Sequence, residues 1–315
     1  MGHHIAQNAL LITSTRLGDA VLSTGLLAAI HAQHPQAKIT VVCGPLPAPL
    51  FEACPFVDRV IAIRKKKRFG HWIDLWKMLW TTRWTTIVDL RNSAISRLLW
   101  AKQRHILDHH IPKDVHKVIQ YQRVMKLEEP PAPQLWLPAH SDVETLIPNG
   151  AKVLALGPAA NWHAKTWPED RFIELTKRLL AGPLQGWRVA IFAAAPEADQ
   201  VKNILAAFPD AISAVGWGDP AQVASALSRC DLFIGNDSGL MHMAAALNVK
   251  TLGLFGPTYD DIYGPWGGKI VRTPETVAEL LDIPDYNSKT CPNLMETLSV
   301  DAAEEAVSLM LLKQS

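Results

Sequence analysis

The segment from Asp231 to Thr258, DLFIGNDSGLMHMAAALNVKTLGLFGPT, constrains the fold more than any other part of the chain. It reads as a buried strand at Leu232 to Ile234, a polar turn at Gly235-Asn236-Asp237-Ser238-Gly239, a helix of small residues, and a second apolar strand ending at Gly256-Pro257-Thr258. Two strands joined through a helix of this length form a βαβ unit with a parallel pair. Ligands on such sheets gather beyond the carboxyl ends of the strands, where this turn must lie. The first turn of the helix offers unpaired N–H groups and a partial positive charge, which suits an anion such as phosphate. Asp237 or Ser238 could instead serve only to cap the helix. Gly239 and Ala244 to Ala246 favour the ligand reading, since small residues let the helix approach a sheet or a ligand closely.

The same alternation runs through the rest of the chain. Strands are expected at 9–13, 38–43, 59–63, 86–90 and near His105, with helices at 20–32, near 49–53, 73–82, 93–101 and 114–126. Residues 128–138 then hold Pro130, Pro131, Pro133 and Pro138, which cannot continue a helix or a central strand, so this is the linker candidate. Strands restart at 152–156, 187–192 and near Ile212, with helices at 168–180, 196–207 and 220–228. A last helix at 301–312 could pack on either half. Such alternation implies doubly wound parallel sheets. At 315 residues the chain suits two domains of about 150 residues each, taken as 1–138 and 139–315.

Bulk properties narrow the function classes. A formal net charge of +1 makes no case for general nucleic-acid binding. Cys43, Cys54, Cys230 and Cys291 are widely separated, which argues against a zinc site or disulfide scaffold and fits a reducing compartment. No apolar run reaches the roughly 18 residues that span a bilayer, and Leu10 to Ile12 is too short for a signal-peptide core. A cytoplasmic protein is expected.

Three groups of residues could carry chemistry. The first βα turn, Ser14-Thr15-Arg16-Leu17-Gly18-Asp19, lacks GxGxxG, so the standard dinucleotide fingerprint is absent. Asp19 could cap the helix that follows, or offer a carboxylate that takes a proton from a sugar hydroxyl. The second turn, Gly157 to Pro168, places Lys165 just ahead of a helix N-terminus marked by Pro168. A lysine there opposes the helix dipole, so it is expected to serve an anionic ligand, with a solvated surface lysine as the alternative. The third group is the basic run Arg64, Lys65, Lys66, Lys67 and Arg68, followed by Trp72, Trp76, Trp80 and Trp84. The tryptophans are spaced by four, which predicts one stripe on a helix. Core packing would explain at least two of them, while cations beside interfacial indoles also suit anionic lipid head groups. His109, His110 and His116 come without HExxH or a carboxylate–histidine set, so no metal site is expected. Ser238 sits in GNDSG rather than a GxSxG elbow, which gives hydrolase chemistry little support.

Together RLGDAVLSTGLLAAI, GPAANWHAKTWPEDRF and FIGNDSGLMHMAAALNVKTLGLFGPT make the chain resemble glycosyltransferase family 9, the ADP-heptose:lipopolysaccharide heptosyltransferases and their relatives, over about 10–281. The resemblance implies an α/β GT-B fold: two Rossmann-like domains facing a central cleft, acceptor on the first and nucleotide-sugar on the second. It implies an inverting, metal-independent transfer of a sugar, a heptose from ADP-heptose, onto a lipopolysaccharide-core or related glycan. Asp19 then matches the general base and Lys165 the lysine on the donor diphosphate. Asp237 matches the aspartate that holds the donor sugar, with Ser238 and Gly239 as backbone donors to phosphate. Asn161 falls where the family often has a small hydroxyl residue, and Glu197 lies in a loop that could reach the ribose. His242 is counted with the donor side, and Arg91 joins the basic run as an acceptor or membrane contact. No cofactor is expected. Peripheral contact with the inner membrane leaflet is left open.

Two other readings remain open from the sequence. One is a nucleotide-sugar epimerase of the same plan; the other is a non-catalytic scaffold at a membrane surface. A dinucleotide-dependent oxidoreductase is disfavoured by the missing glycine fingerprint.

Overall fold

The computed structural model describes residues 7–64, 66, 70–137, 146–283, 287 and 290–312. Its contacts divide the chain into two units, Met1–Pro138 and Ala139–Ser315.

In the first unit, β1 (Asn8–Ile12), β2 (Lys38–Cys43), β3 (Val57–Ala62), β4 (Trp84–Asp89) and β5 (Ala101–Ile106) form one parallel sheet in the order β3-β2-β1-β4-β5. Helices α1 (Leu17–Leu22), α2 (Gly25–Gln33), α3 (Ala48–Glu52), α4 (Gly70–Leu79), α5 (Ile95–Leu98) and α6 (Lys117–Met125) connect the strands. Strands covered on both faces read as continuous apolar runs, and Ala9 to Ile12 is fully buried.

The single helix predicted over 20–32 is two helices. Ser23 Oγ donates to the Ala20 carbonyl and Thr24 Oγ1 to the Val21 carbonyl, each at 2.7 Å. These hydroxyls compete locally with the helical ladder and break it. Gly25 follows because the Pro-rich segment crosses here: a Cβ at Gly25 would lie 2.2 Å from the Pro131 carbonyl oxygen. Pro131 and Pro133 are buried, and Gln134 N–H donates to Thr24 Oγ1 at 3.1 Å. The linker candidate is therefore packed on the first unit as far as residue 137. The helix expected over 93–101 shrinks to α5 because the Arg104 guanidinium takes the Ser96 and Leu99 carbonyls, at 2.9 and 2.6 Å.

In the second unit, β6 (Val153–Gly157), β7 (Arg188–Ala193), β8 (Ile212–Val215), β9 (Leu232–Asn236), β10 (Lys250–Phe255) and β11 (Lys269–Arg272) form a parallel sheet in the order β11-β10-β9-β6-β7-β8. Its helices are α7 (Glu169–Ala181), α8 (Lys202–Ala207), α9 (Pro220–Leu227), α10 (Gly239–Ala246), α11 (Asp260–Tyr263), α12 (Val277–Leu281) and α13 (Val300–Leu312). The helix predicted over 196–207 begins instead as a 3-10 turn, Ala195–Gln200. The elements β11, α11 and α12 had no counterpart in the sequence reading. Of the two halves open to it, α13 packs on its own, against α7, β10 and β11. Arg178 on α7 fixes it by donating to Asp301 and Glu304 at 2.7 and 3.1 Å. Phe172, Leu175 and Leu179 of α7 and Ala303 and Val307 of α13 close one core over Leu154, Ile191, Leu232 and Leu254. Truncating such a Leu or Phe costs about 2–5 kcal/mol.

Candidate functional site

Each sheet reverses its winding once, and ligands on such sheets bind at the carboxyl ends of the strands flanking that reversal. In the second unit the flanking strands are β6 and β9, paired with Gly157 opposite Gly235. A Cβ on Gly235 would lie 2.6 Å from the Gly157 carbonyl oxygen, so only glycine permits this approach. Beyond these strand ends lie the 158–168 loop and the Asn236–Gly239 turn, the two segments singled out from the sequence.

The loop and the turn are joined by ion pairing and hydrogen bonds. Lys165 ends a 3-10 turn, His163–Lys165, and its Nζ lies 3.0 Å from Asp237 Oδ2. Both side chains are largely buried, at 14% and 11% exposure. His242 Nε2, from the first turns of α10, is 3.9 Å from Asp237 Oδ1. Fully buried Asn236 clamps the loop: its Nδ2 donates to the Pro158 carbonyl at 2.6 Å, and its Oδ1 accepts from Trp167 N–H at 3.0 Å. From the far end of the chain, Asn293 Nδ2 donates to the Thr166 carbonyl at 2.8 Å and Leu294 N–H to the Ala164 carbonyl at 3.0 Å. The Trp167 indole N–H in turn donates to the Leu298 carbonyl at 2.9 Å. Lys165 is thus carried on a loop braced from both sides.

The capping alternative for this turn does not hold. Ser238 occupies the N-cap of α10, yet its side chain makes no capping bond, and the Asp237 carboxylate faces Lys165 instead. Ser238 Oγ and Thr258 Oγ1, beyond the ends of neighbouring strands β9 and β10, are buried hydroxyls with no partner among the described residues. Buried polar groups are normally hydrogen-bonded, so such hydroxyls suit a ligand. Asn161 is exposed in the same loop. Glu197, beyond β7, uses Oε2 to accept from its own turn's Ala194 N–H at 2.9 Å. Gln200 from that turn accepts from Ala160 N–H at 3.2 Å, linking it to the Lys165 loop.

In the first unit the reversal lies between β1 and β4. Asp19 stands there in the first turn of α1, but Arg16 holds the N-cap position, so Asp19 is not the cap. Ser14 Oγ donates to Asp19 Oδ2 at 3.4 Å. Lys117, at the start of α6, is close enough to feel Asp19. Burial pushes its ammonium below the usual lysine range, while the Asp19 carboxylate pulls it back up. At the end of β4, the fully buried Asp89 carboxylate accepts from Arg91 N–H, Ser93 N–H and Ser93 Oγ at 2.7–2.8 Å. This turn sets the Arg91 guanidinium 5.8 Å from the Trp72 ring centre.

The third group is only partly as predicted. Lys65, Lys67 and Arg68 lie outside the described residues; Arg64 and Lys66 are exposed, and Lys66 pairs with Asp74 at 2.7 Å. The four tryptophans do not form one helical stripe. Helix α4 ends at Leu79, and Trp84 opens β4 with its indole in the core. Trp72 packs at the edge of that core, whereas Trp76 and Trp80 are exposed and stacked with ring centres 5.8 Å apart. His116 caps α6 by accepting from Val118 N–H at 3.2 Å. Asp108, His109 and His110 have ligand atoms within 4.8 Å of one another, on the surface beyond β5. Burial pushes the Cys43 and Cys230 thiols up to about 12 and Cys54 to about 11, which removes them as nucleophiles. Among the described residues no helix is long and apolar enough to cross a membrane.

Sequence reasoning missed Asn236, Trp167, Asn293, Thr258 and Lys117 as parts of these sites. Asn236 and Thr258 lie within the opening segment and were legible as polar residues at strand ends. Nothing local marks Asn293 or Lys117.

The profile of glycosyltransferase family 9 (heptosyltransferase) matches residues 74–279, well over half of the chain. The chain is 25% identical over 297 residues to lipooligosaccharide heptosyltransferase 2 of Campylobacter jejuni, covering 88% of this chain and 90% of that one. Among solved structures, a glycosyltransferase family 9 protein from Veillonella parvula has a TM-score of 0.78 at 19% identity and covers 98% of both chains. ADP-heptose lps heptosyltransferase II of E. coli has a TM-score of 0.75 at 22% identity, covering 98% of this chain and 99% of that one. These likenesses bear out the GT-B fold class, with its two Rossmann-like parallel-sheet domains.

Proposed function

The chain belongs to glycosyltransferase family 9 and is a glycosyltransferase; on that premise we propose that it moves a heptose from ADP-heptose onto a lipopolysaccharide-core or related glycan acceptor, with inversion and without a metal. The observation that carries this reading is the Lys165–Asp237 pair at the reversal of the second sheet, 3.0 Å apart beside the start of α10. A nucleotide-sugar brings both an anion and hydroxyls, so the pair can divide between them. Lys165 turns to the diphosphate, and Asp237 accepts from hydroxyls of the sugar. Ser238 and Gly239 contribute the positive end of α10, the usual place for a phosphate. Asn161, Glu197 and His242 complete the donor side. Relatives named as heptosyltransferases, one of them for ADP-heptose, support this donor.

In this reading Asp19 takes the proton of the acceptor hydroxyl. The freed oxygen bonds to the anomeric carbon from the face opposite the diphosphate, the carbon–oxygen bond to phosphate breaks, and its electron pair leaves with ADP. A positioned base contributes about 10²–10⁴-fold. A charge aimed at the departing group contributes about 3–4 kcal/mol in the transition state. Arg64, Lys66 and Arg91, with Lys65, Lys67 and Arg68 by sequence, serve acidic groups of the acceptor or of the membrane that holds it. A lipid-linked acceptor keeps the enzyme in the cytoplasm at the inner face of the membrane.

A thermal-shift panel of ADP, GDP, UDP and dTDP tests the donor. Stabilisation by ADP supports it, and stabilisation by another nucleotide without ADP overturns it. Transfer that persists in excess chelator supports the metal-free route, and transfer lost on chelation and restored by a divalent cation overturns it.

A further inference from the structure

The formal charge of +1 conceals a strong segregation. Of the chain's 31 Lys and Arg, twelve fall within 59–107 together with only two of its 30 acids, so that stretch carries +10 and the other residues together −9. Both acids are already engaged, Asp74 by Lys66 and Asp89 by its own turn. The fold places Lys77, Arg97 and Arg104 with α4 and α5 on one face of the first sheet. Leu75 and Leu79 of α4 and Ile95 and Leu99 at α5 pack into the same core cluster over Leu10, Ile12, Val42 and Ile87, so both helices cover that face. With these residues turned inward, Ile73, Trp76 and Trp80 of the α4 segment, Leu98 at the end of α5 and Trp100 after it are left exposed, Leu98 at 67% and Trp80 at 55%. Ile73, Trp76 and Lys77 fall on one arc of α4 by its 3.6-residue period, and Trp80, next after the helix, continues it through its N–H bond to the Trp76 carbonyl at 2.9 Å.

Cations frame these apolar groups. Lys77 lies on the exposed arc of α4. The Arg83 guanidinium sits 5.4 Å from the Trp100 ring centre. Arg97 and Arg104 are held against the ends of α5 by bonds to the Ser93, Ser96 and Leu99 carbonyls. Scattered exposed apolar residues need no explanation, but three indoles and two aliphatic side chains beside such a charge excess do.

We propose that the outer face of α4 and α5 is a docking surface for an anionic lipid bilayer, with Trp76, Trp80 and Trp100 at the headgroup level and Lys77, Arg83 and Arg97 on the lipid phosphates. Indoles favour that depth, and juxtaposed cations draw the protein to acidic lipid. The aliphatic Ile73 and Leu98 select acyl chains over nucleobases, which would offer them no apolar volume. The surface deepens the reading of a membrane-held acceptor and rests on it for the identity of the membrane. Its test does not pass through sugar transfer.

The full chain is co-sedimented, without donor or acceptor, with vesicles of phosphatidylcholine alone or of phosphatidylcholine mixed with phosphatidylglycerol. Binding to the anionic vesicles only, weakened by salt, is expected. Lys77→Glu should lower it about fivefold or more, one cation at the surface being worth about 1 kcal/mol. Trp76→Ser/Trp80→Ser should lower it about tenfold or more, from the lost burial of two large side chains. No binding at low salt, equal binding to both vesicles, or undiminished binding of the double variant overturns the proposal. So does stronger capture by a soluble polyanion such as heparin that ignores the double variant. Transfer to a lipid-free acceptor fragment reports separately on the chemistry, and Trp76→Ser/Trp80→Ser should leave it unchanged. Failure of that assay in the unaltered protein would count against the transferase reading and leave the vesicle result standing.

Discussion

Replacing Lys165 by Met strands a carboxylate where water reaches it poorly. The Lys165 and Asp237 side chains are 14% and 11% exposed, with charged atoms 3.0 Å apart. An exposed pair is worth about 1 kcal/mol or less, whereas removing one partner of a buried pair costs about 3–5 kcal/mol. The residual exposure puts Lys165→Met at the low end of the buried range, about 3 kcal/mol, with Asp237 left facing His242 Nε2 at 3.9 Å. For a unit of this size the thermal transition should fall by about 6–12 °C. Asp237→Asn should act similarly by stranding the ammonium. The double variant Lys165→Met/Asp237→Asn removes both charges and should recover about 2 kcal/mol relative to the sum of the single losses. Binding should not recover with it. Loss of a charge-assisted hydrogen bond of about 1.5–3 kcal/mol lowers ADP affinity roughly tenfold to hundredfold in both Lys165 variants. Scanning calorimetry reads the first effect and titration calorimetry the second. Strict additivity of the two stability losses would refute the coupling. Unchanged ADP affinity in Lys165→Met would refute the phosphate role.

Three further outcomes follow from the same geometry. Asp19→Asn should cut transfer by about 10²–10⁴-fold while ADP binds as before; turnover within a few-fold of the unaltered enzyme would remove Asp19 as the base. Asn236→Ala leaves the Trp167 N–H and the Pro158 carbonyl without their partner. That should cost about 2–5 kcal/mol in a urea titration and loosen ADP binding through the Lys165 loop, and an unshifted midpoint would sink this account of the clamp. Burial holds the His105 imidazole below its ordinary 6.5, against a partial pull upward from the Val124 carbonyl. The unfolded chain therefore takes up the proton first on acidification. Stability is complete above 6.5 and declines from there down to the lowered folded-state value. His105→Gln should flatten that part of the stability–pH curve, and a curve identical to that of the unaltered protein would exclude His105 as the cause.

The parts legible in the sequence are those where a single local pattern decides the structure. The runs at Leu10–Ile12, Val41–Cys43, Leu154–Leu156 and Leu252–Phe255 are buried on both faces, so apolar continuity alone locates them as strands. Parallel pairing then fixes which ends face a ligand, and Asp19, Lys165 and Asp237 fall at those ends without further information. Where nearby side chains compete with a pattern, the reading fails. The hydroxyls of Ser23 and Thr24 split a helix whose apolar spacing is unbroken. The spacing of four from Trp72 to Trp84 suggested one stripe, yet the last indole belongs to a strand, because periodicity cannot show where a helix stops without a cap signal.

The bracing of the Lys165 loop was out of reach for a different reason. Its hydrogen bonds come from Asn236, 69 residues beyond Trp167, and from Leu298, 131 residues beyond it. No composition or spacing rule links positions so far apart; only the folded sheet does. The consequence is physical. A lysine ahead of a helix N-terminus is repelled by the dipole it faces, and it stays where it is because Asp237 pairs with it and the 293–298 segment holds its loop. An anion placed at the start of α10 would take over the pairing with Lys165, freeing Asp237 for hydroxyls. On the proposed reading a donor completes this charge arrangement, which is why removing the pair should cost both stability and ADP affinity.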